Sequence, residues 1–265
     1  MASISIRKSI RWLPGEAQEP TSTVVLTSPS RRFVDLRIIV KKPAAGAAAA
    51  ADSDAESDAP GLLPLSRLDW AIAGTSSSST TEREDGRGGQ VTTHGKWRHW
   101  IDSTTREADG VVDEGDMITQ PDGTTLETGS MVNPATGLVT AYEEVWEDEE
   151  PVVPSFSRAG SSTSAISPPL LCVVLEMDQQ GQGGQGMVVR LGRWCQGFVR
   201  AGEDIALERW LWSEGTGGWR REARMGNLFV ACEVALQEGR DFKVGEAVGE
   251  DGAWKVVEVV HGSRA

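Results

Sequence analysis

Three features of this chain predict an all-β protein made of antiparallel barrels or sandwiches. Short runs of β-branched and aromatic residues recur along the 265 residues, with glycine, proline and aspartate turns between them. Thirty glycines in a serine-rich background argue against long helices. The densest strand-forming run, Gly186–Arg200, carries glycines where a strand would bend.

The runs can be taken in order. Ser3–Leu13 alternates loosely and reads as a first strand. Thr23–Leu26 and Phe33–Val40 follow, joined by Ser28-Pro29-Ser30, and the second has a partial two-residue period. Ala44–Pro60 changes character. Its alanines give way to an acid–serine run, Asp52–Asp58, which suits a solvated loop. Leu65–Gly74 returns to strand, Ser76–Gln90 reads as a loop, and Val91–Asp102 is a strand bearing Trp97 and Trp100. Pro121-Asp122-Gly123 and Asn133–Gly137 are turns, because proline presets φ and glycine tolerates φ > 0. Leu138–Trp146 is the strand after them.

Glu147–Pro169 starts acidic, becomes rich in Ser, Pro and Gly, and marks a boundary. The strand pattern then restarts at Leu170–Met177, Met187–Arg200, Ile205–Ser213, Trp219–Met225, Leu228–Glu233, Phe242–Val248 and Trp254–Val260. The chain therefore divides into a first β-domain at 1–150, with insertions near 44–60 and 76–90, a linker at 151–169 and a second β-domain at 170–265. Tryptophan supports two related halves. Five of the ten fall on each side of the boundary, and both halves end in a strand bearing Trp and Glu: Glu143-Glu144-Val145-Trp146 and Trp254-Lys255-Val256-Val257-Glu258.

A formal net charge of −13 disfavours binding to nucleic acid or insertion into an anionic membrane surface, since both would repel the protein. Met1–Pro14 lacks the apolar core of a secretory signal, and no run approaches the length of a membrane span. The three cysteines, Cys172, Cys195 and Cys232, form no CxxC pair. An odd count is a poor disulfide framework and fits a reducing compartment.

Several motifs point towards chemistry and fail on context. Gly181–Gly186 matches G-x-G-x-x-G, but a strand follows where a dinucleotide site needs a helix. His94 and His99 are five apart on a strand and so face opposite ways, which leaves no metal pair. No catalytic or cofactor-binding residues are assigned. One stretch is harder to set aside. Trp194 and Gln196 share a strand face, and a Trp and an amide pointing into a barrel could line a ligand cavity. The alternative is a core Trp satisfied by the Gln. With the looser upstream version Asp69–Thr75, the candidates for a barrel interior or ligand lining are Trp70, Gly74, Arg193, Trp194, Gln196 and Gly197. Ser57, with Asp54 three residues before it, and Ser53, with Glu56 three residues after it, are candidate phosphorylation sites.

At Asp69–Thr75 and Gly192–Phe198 the chain resembles the fungal Hri-one family, named for interaction with a yeast casein kinase I homologue. Trp100-Ile101-Asp102, Glu144-Val145-Trp146 and Trp254–Glu258 resemble it in the same order, so nearly the whole chain is covered. The resemblance implies two tandem lipocalin-like antiparallel β-barrels, a cytoplasmic and nuclear location, and no known catalytic residue or cofactor. It also implies two partners: a casein kinase I homologue and an accessory subunit of the endoplasmic-reticulum translocon. The expected function is that of a non-enzymatic interaction or adaptor protein. A small-molecule carrier is the alternative, and a cavity of a few hundred Å³ inside a barrel would favour it.

Overall fold

The computed structural model describes residues 2–40, 61–83, 90–154, 170–179, 184–249 and 251–262. Eight strands form a closed antiparallel barrel: β1 (Ser3–Trp12), β2 (Thr21–Thr27), β3 (Arg32–Ile39), β4 (Leu68–Arg83), β5 (Gln90–Asp102), β6 (Val112–Thr119), β7 (Thr125–Val132) and β8 (Val139–Glu149). Each pairs with the next, and β8 returns to β1 to close the ring.

The Ser76–Gln90 stretch, expected as a loop, is largely strand. Ser76 faces Trp97, and the pairing runs on through Thr81 and Thr92, so β4 and β5 form a long hairpin. Threonine is a good strand former, and backbone pairing here outweighs the solvation that serine favours. Residues 44–60, expected as an inserted loop, lie outside the described residues, as do 155–169 of the linker.

The second half is a single sheet. After β9 (Leu170–Gln179), β10 (Gly184–Leu191), β11 (Trp194–Ala201), β12 (Asp204–Ser213) and β13 (Gly218–Met225) come a one-turn helix α1 (Cys232–Ala235), β14 (Ala247–Val248) and β15 (Trp254–His261). The strand order is β13-β12-β11-β10-β9-β15-β14. β15 pairs with β9 as β8 pairs with β1, so the two Trp–Glu segments that end the halves occupy equivalent positions. The expected second closed barrel is not formed among the described residues, because β13 and β14 do not join. The expected strand at Leu228–Glu233 is also replaced. Val230, Ala231, Cys232, Val234, Ala235 and Leu236 are all buried, and α1 begins among them. A continuous apolar run does not by itself distinguish helix from strand. Of Phe242–Val248, only the last two residues pair as strand.

The barrel and the sheet share a core. Along β3 every residue from Phe33 to Ile38 is buried. Val34, Leu36 and Ile38 face out of the barrel and pack with Val24, Leu26, Ala71 and Ala73 against one face of the sheet, at Val174, Val189, Leu191 and Phe198. The opposite face of the sheet is covered by the segment carrying α1, where Val173, Leu175, Val188 and Cys195 meet Val230, Cys232, Phe242 and Trp254. All three cysteines are free and buried. Because the outer barrel wall takes the apolar side of β2, β3 and β4, their mixed side, with Val25, Thr27, Phe33, Asp35, Arg37 and Ile72, faces inward. Among the described residues no helix is long and apolar enough to cross a membrane.

Candidate functional site

The barrel is hollow. A cavity of about 630 Å³ opens at one end and is lined by side chains from all eight strands. Its walls are mixed: Val25, Phe33, Ile72, Met117 and Trp146 are apolar, while Thr27, Asp35, Glu127, Tyr142 and Glu144 are polar. One row of the wall is cleared by glycine. Gly95, Gly115 and Gly129 sit side by side on β5, β6 and β7, in register with Tyr142 on β8. A Cβ at Gly129 would stand 2.5 Å from the Tyr142 hydroxyl, one at Gly115 2.7 Å from Glu127 Oε1, and one at Gly95 2.7 Å from the Trp97 ring. The missing side chains are what allow Tyr142, Glu127 and Trp97 to lie across the wall. A glycine inside a strand marks such a close approach. These three glycines are the signal of the site that the sequence carries.

The floor is a buried network of charge. Arg7 donates to Glu144 Oε1 at 2.5 Å, to both oxygens of Glu19 and to Thr21 Oγ1. Arg37 donates from Nε to Asp35 Oδ2 at 3.0 Å, lies 3.6 Å from Glu144 Oε1 and stacks over Trp70 at 5.0 Å. Burial opposes the charge on both arginines. The carboxylates outweigh it and raise their pKa values, with Glu144 and Glu19 acting on Arg7, and Asp35 and Glu144 on Arg37. Tyr142 donates its hydroxyl to Glu127 Oε1 at 2.9 Å. Burial, and then the neighbouring charge of Glu144, push the Glu127 carboxyl up to about 8. Burial and the same two acids raise the Tyr142 hydroxyl. Asp35 Oδ1 is buried without a hydrogen-bond partner.

Behind Trp70, His99 contacts Asp102 at 2.9 Å and Asp113 at 3.2 Å. Burial disfavours the charged ring, but the two carboxylates raise its pKa to about 9. Burial also works against the Asp102 charge, and hydrogen bonds from His99, Thr104 and Trp70 overcome it, holding that carboxyl at about 2. The pair is therefore ionic at neutral pH. Among the described residues no group of three or more His, Cys, Asp or Glu is arranged to hold a metal.

The six residues singled out from sequence lie elsewhere than on this lining. Trp70 sits beneath it, donating to Asp102 Oδ1 at 3.0 Å. Gly74 is a bulge where a Cβ would collide with the carbonyl of Arg98. Arg193, in the β10–β11 turn, donates to Glu149 Oε1 at 2.5 Å, and the Trp194 indole meets the same oxygen at 3.4 Å. Gln196 shares a face with Trp194, as expected, but that face meets the outer wall of the barrel. Its amide nitrogen donates to the carbonyls of Val24 and Val34, and its oxygen accepts from Arg209. Gly197 faces the other way, where a Cβ would crowd Val230, Val188 and Cys232. Ser53 and Ser57 lie outside the described residues.

A closed eight-stranded barrel around a mixed polar and apolar cup defines a β-barrel protein with an internal cavity of ligand size. The chain belongs to the HRI1 family, whose model, described as Protein HRI1, matches residues 3–258. The crystal structure of an uncharacterized protein, YLR301w, from Saccharomyces cerevisiae has a similar fold. It is 20% identical with a TM-score of 0.65, over 98% of this chain and 99% of that one. No curated protein matches the sequence.

Proposed function

We propose that this protein is a non-enzymatic carrier that holds a small molecule inside its first barrel. The observation that carries this reading is the cavity of about 630 Å³ lined from all eight strands. Ligand sites span roughly 300–1,000 Å³ and combine apolar walls with a few placed polar groups. The sequence favoured an adaptor over a carrier, and the cavity supports the carrier. The first barrel is then lipocalin-like in use as well as in shape. The second half reads as a related barrel opened out, with the α1 segment standing in for the wall between β13 and β14. A cytoplasmic and nuclear location and contacts with a casein kinase I homologue or a translocon accessory subunit belong to the same proposal and rest on the family resemblance. Such contacts would use the outer surface and would not compete with a ligand in the cup.

Trp97 and Trp146 line the cavity, so its filling should be visible in their fluorescence. Purified protein titrated with a panel of small amphipathic molecules is expected to show saturable quenching or a blue shift at one site per chain. Replacing Thr27, a cavity residue on β2, with Trp should take up part of the cup and weaken binding severalfold. A Thr27→Trp protein that binds the same molecules with unchanged affinity would place binding outside the barrel and overturn the carrier reading.

A further inference from the structure

Resting on the carrier reading, we infer the ligand class: the cup is built for a lipophilic cation, a molecule with an apolar body and a protonated amine head that docks on the carboxyl floor.

The hydrogen-bonding capacity of the floor is asymmetric. Its charged donors are already committed, and the indole Nε1 of Trp146 is a neutral donor left unpartnered on the lining. Arg7 uses Nε and both terminal nitrogens on Glu19, Glu144 and Thr21. Arg37 lies between Asp35 and Glu144, with its flat face on Trp70. On the floor an incoming carboxylate would find no uncommitted guanidinium; Arg31, elsewhere on the lining, donates to Ser78 Oγ at 3.5 Å. Acceptors remain. Asp35 Oδ1, on a side chain only 6% exposed, has no partner, and both arginines that reach Glu144 engage the same oxygen, Oε1. A buried acceptor without a donor costs free energy that a donating ligand would recover.

The charge on the lining has the same sign. Two arginines, Arg31 and Arg37, stand against seven acidic side chains. Three of those acids are offset from outside the lining: Glu144 by Arg7, Asp113 by His99 and Glu149 by Arg193. Asp35 is offset by Arg37. Asp148 and Glu150 remain against Arg31, and Glu127 is a further acceptor that burial keeps protonated. The whole chain, at −13, adds a field that draws cations towards the mouth. Above the floor, Val25, Phe33, Ile72, Trp97, Met117 and Met131 supply apolar and aromatic surface for the body of the ligand.

Glu127 gives the site a second signature. Glu144 and Tyr142 face it from β8 and Arg37 from β3, while its register neighbour on β6 is the uncharged Met117. At pH 7 it holds its proton in the empty cup, and an ammonium beside it would drive that proton off.

The test uses three probes with one chain and three heads: octylamine, 1-octanol and octanoate, titrated by calorimetry at pH 7 into the full-length protein. Octylamine is expected to bind about tenfold or more tightly than octanol, with octanoate weakest, because opposed like charges in a desolvated site are costly. Octylamine binding should also release protons, seen as a heat that changes with the ionisation enthalpy of the buffer. In Glu127→Gln the release should vanish and the preference for octylamine over octanol fall severalfold. Octanoate binding as tightly as octylamine, or octanol and octylamine binding equally, would refute the cation assignment while leaving a carrier in place. Binding of none of the three would remove the cation assignment, and the Thr27→Trp comparison with the wider panel would then decide the carrier reading separately.

Discussion

Gln196 and Arg209 show how one pair of side chains can join two halves of a molecule. They are opposite each other on β11 and β12 and point at the outer wall of the barrel. Arg209 donates to Gln196 Oε1 at 2.6 Å, to Ser22 and to the carbonyl of Leu36 at 2.7 Å. Its hydrogen-bond partners are thus neutral, and burial pushes its pKa down to about 10, opposed by the charge of Asp35 across the wall. Gln196 is suited to this place because an amide offers both a donor and an acceptor. Gln196→Ala is expected to destabilise the protein by about 2–4 kcal/mol, the range for stranding a buried charged donor and two carbonyls. Gln196→Glu should not restore stability, since a carboxylate cannot donate to Val24 and Val34. Chemical denaturation of the two variants checks this; a fully stable Gln196→Ala would mean that Arg209 finds other partners.

At the scale of elements, the inner wall depends on a row of absent side chains. Gly95, Gly115 and Gly129 cross three adjacent strands, and each gives its space to a larger neighbour on the wall. The atoms that a new Cβ would meet at Gly129 belong to the Tyr142 ring and hydroxyl, which can swing into the cavity. Gly129→Val is therefore expected to cost about 1–3 kcal/mol, as overpacking does. It should also break the Tyr142–Glu127 hydrogen bond and reduce ligand uptake. Gly218 on β13 is a fair control, because nothing lies within 4 Å of where its Cβ would stand. Gly218→Val should leave both stability and uptake near the wild-type values. Melting curves and probe titrations of the two variants make the comparison, and equal behaviour would deny the row its role in shaping the cup.

The whole molecule is held by a core that belongs to neither half alone. The apolar outer faces of β2, β3 and β4 are covered by the sheet, and polar clasps surround that contact: Ser28 donates to Glu258 at 2.5 Å, Arg32 to Glu176 at 2.5 Å and Arg200 to the carbonyl of Asp102 at 2.7 Å. The start of the linker runs close by as well, since a Cβ at Gly192 in the β10–β11 turn would stand 2.9 Å from the backbone N and O of Val152. The intact protein is expected to unfold in one calorimetric transition. A fragment ending at residue 154 would expose Val24, Leu26, Val34 and Leu36, and should aggregate or bind a hydrophobic dye. A soluble, sharply melting fragment 1–154 would instead mean that the barrel is an independent domain.

Much of the secondary structure can be read locally. Turn chemistry and β-branched runs mark the strands, and the matching Trp–Glu segments foreshadow the equivalent places of β8 and β15. The burial of Cys172 and Cys195, which sit in apolar strand-forming runs, and the opposed faces of His94 and His99 also follow from local pattern. The identity of a face is a different matter. Alternation says that Trp194 and Gln196 point the same way; whether that way is a cavity or a neighbouring wall depends on what the sheet packs against. In β3 both faces are buried, so Asp35 and Arg37 look like interruptions of an apolar strand until the barrel closes and turns them inward. The cup is assembled from eight strands spread over about 150 residues, and none of its floor contacts is a sequence motif. Local propensity determined that the chain would be β. Closure of β8 on β1, and burial of the outer wall by the second sheet, decided that the mixed side of the barrel would enclose a space.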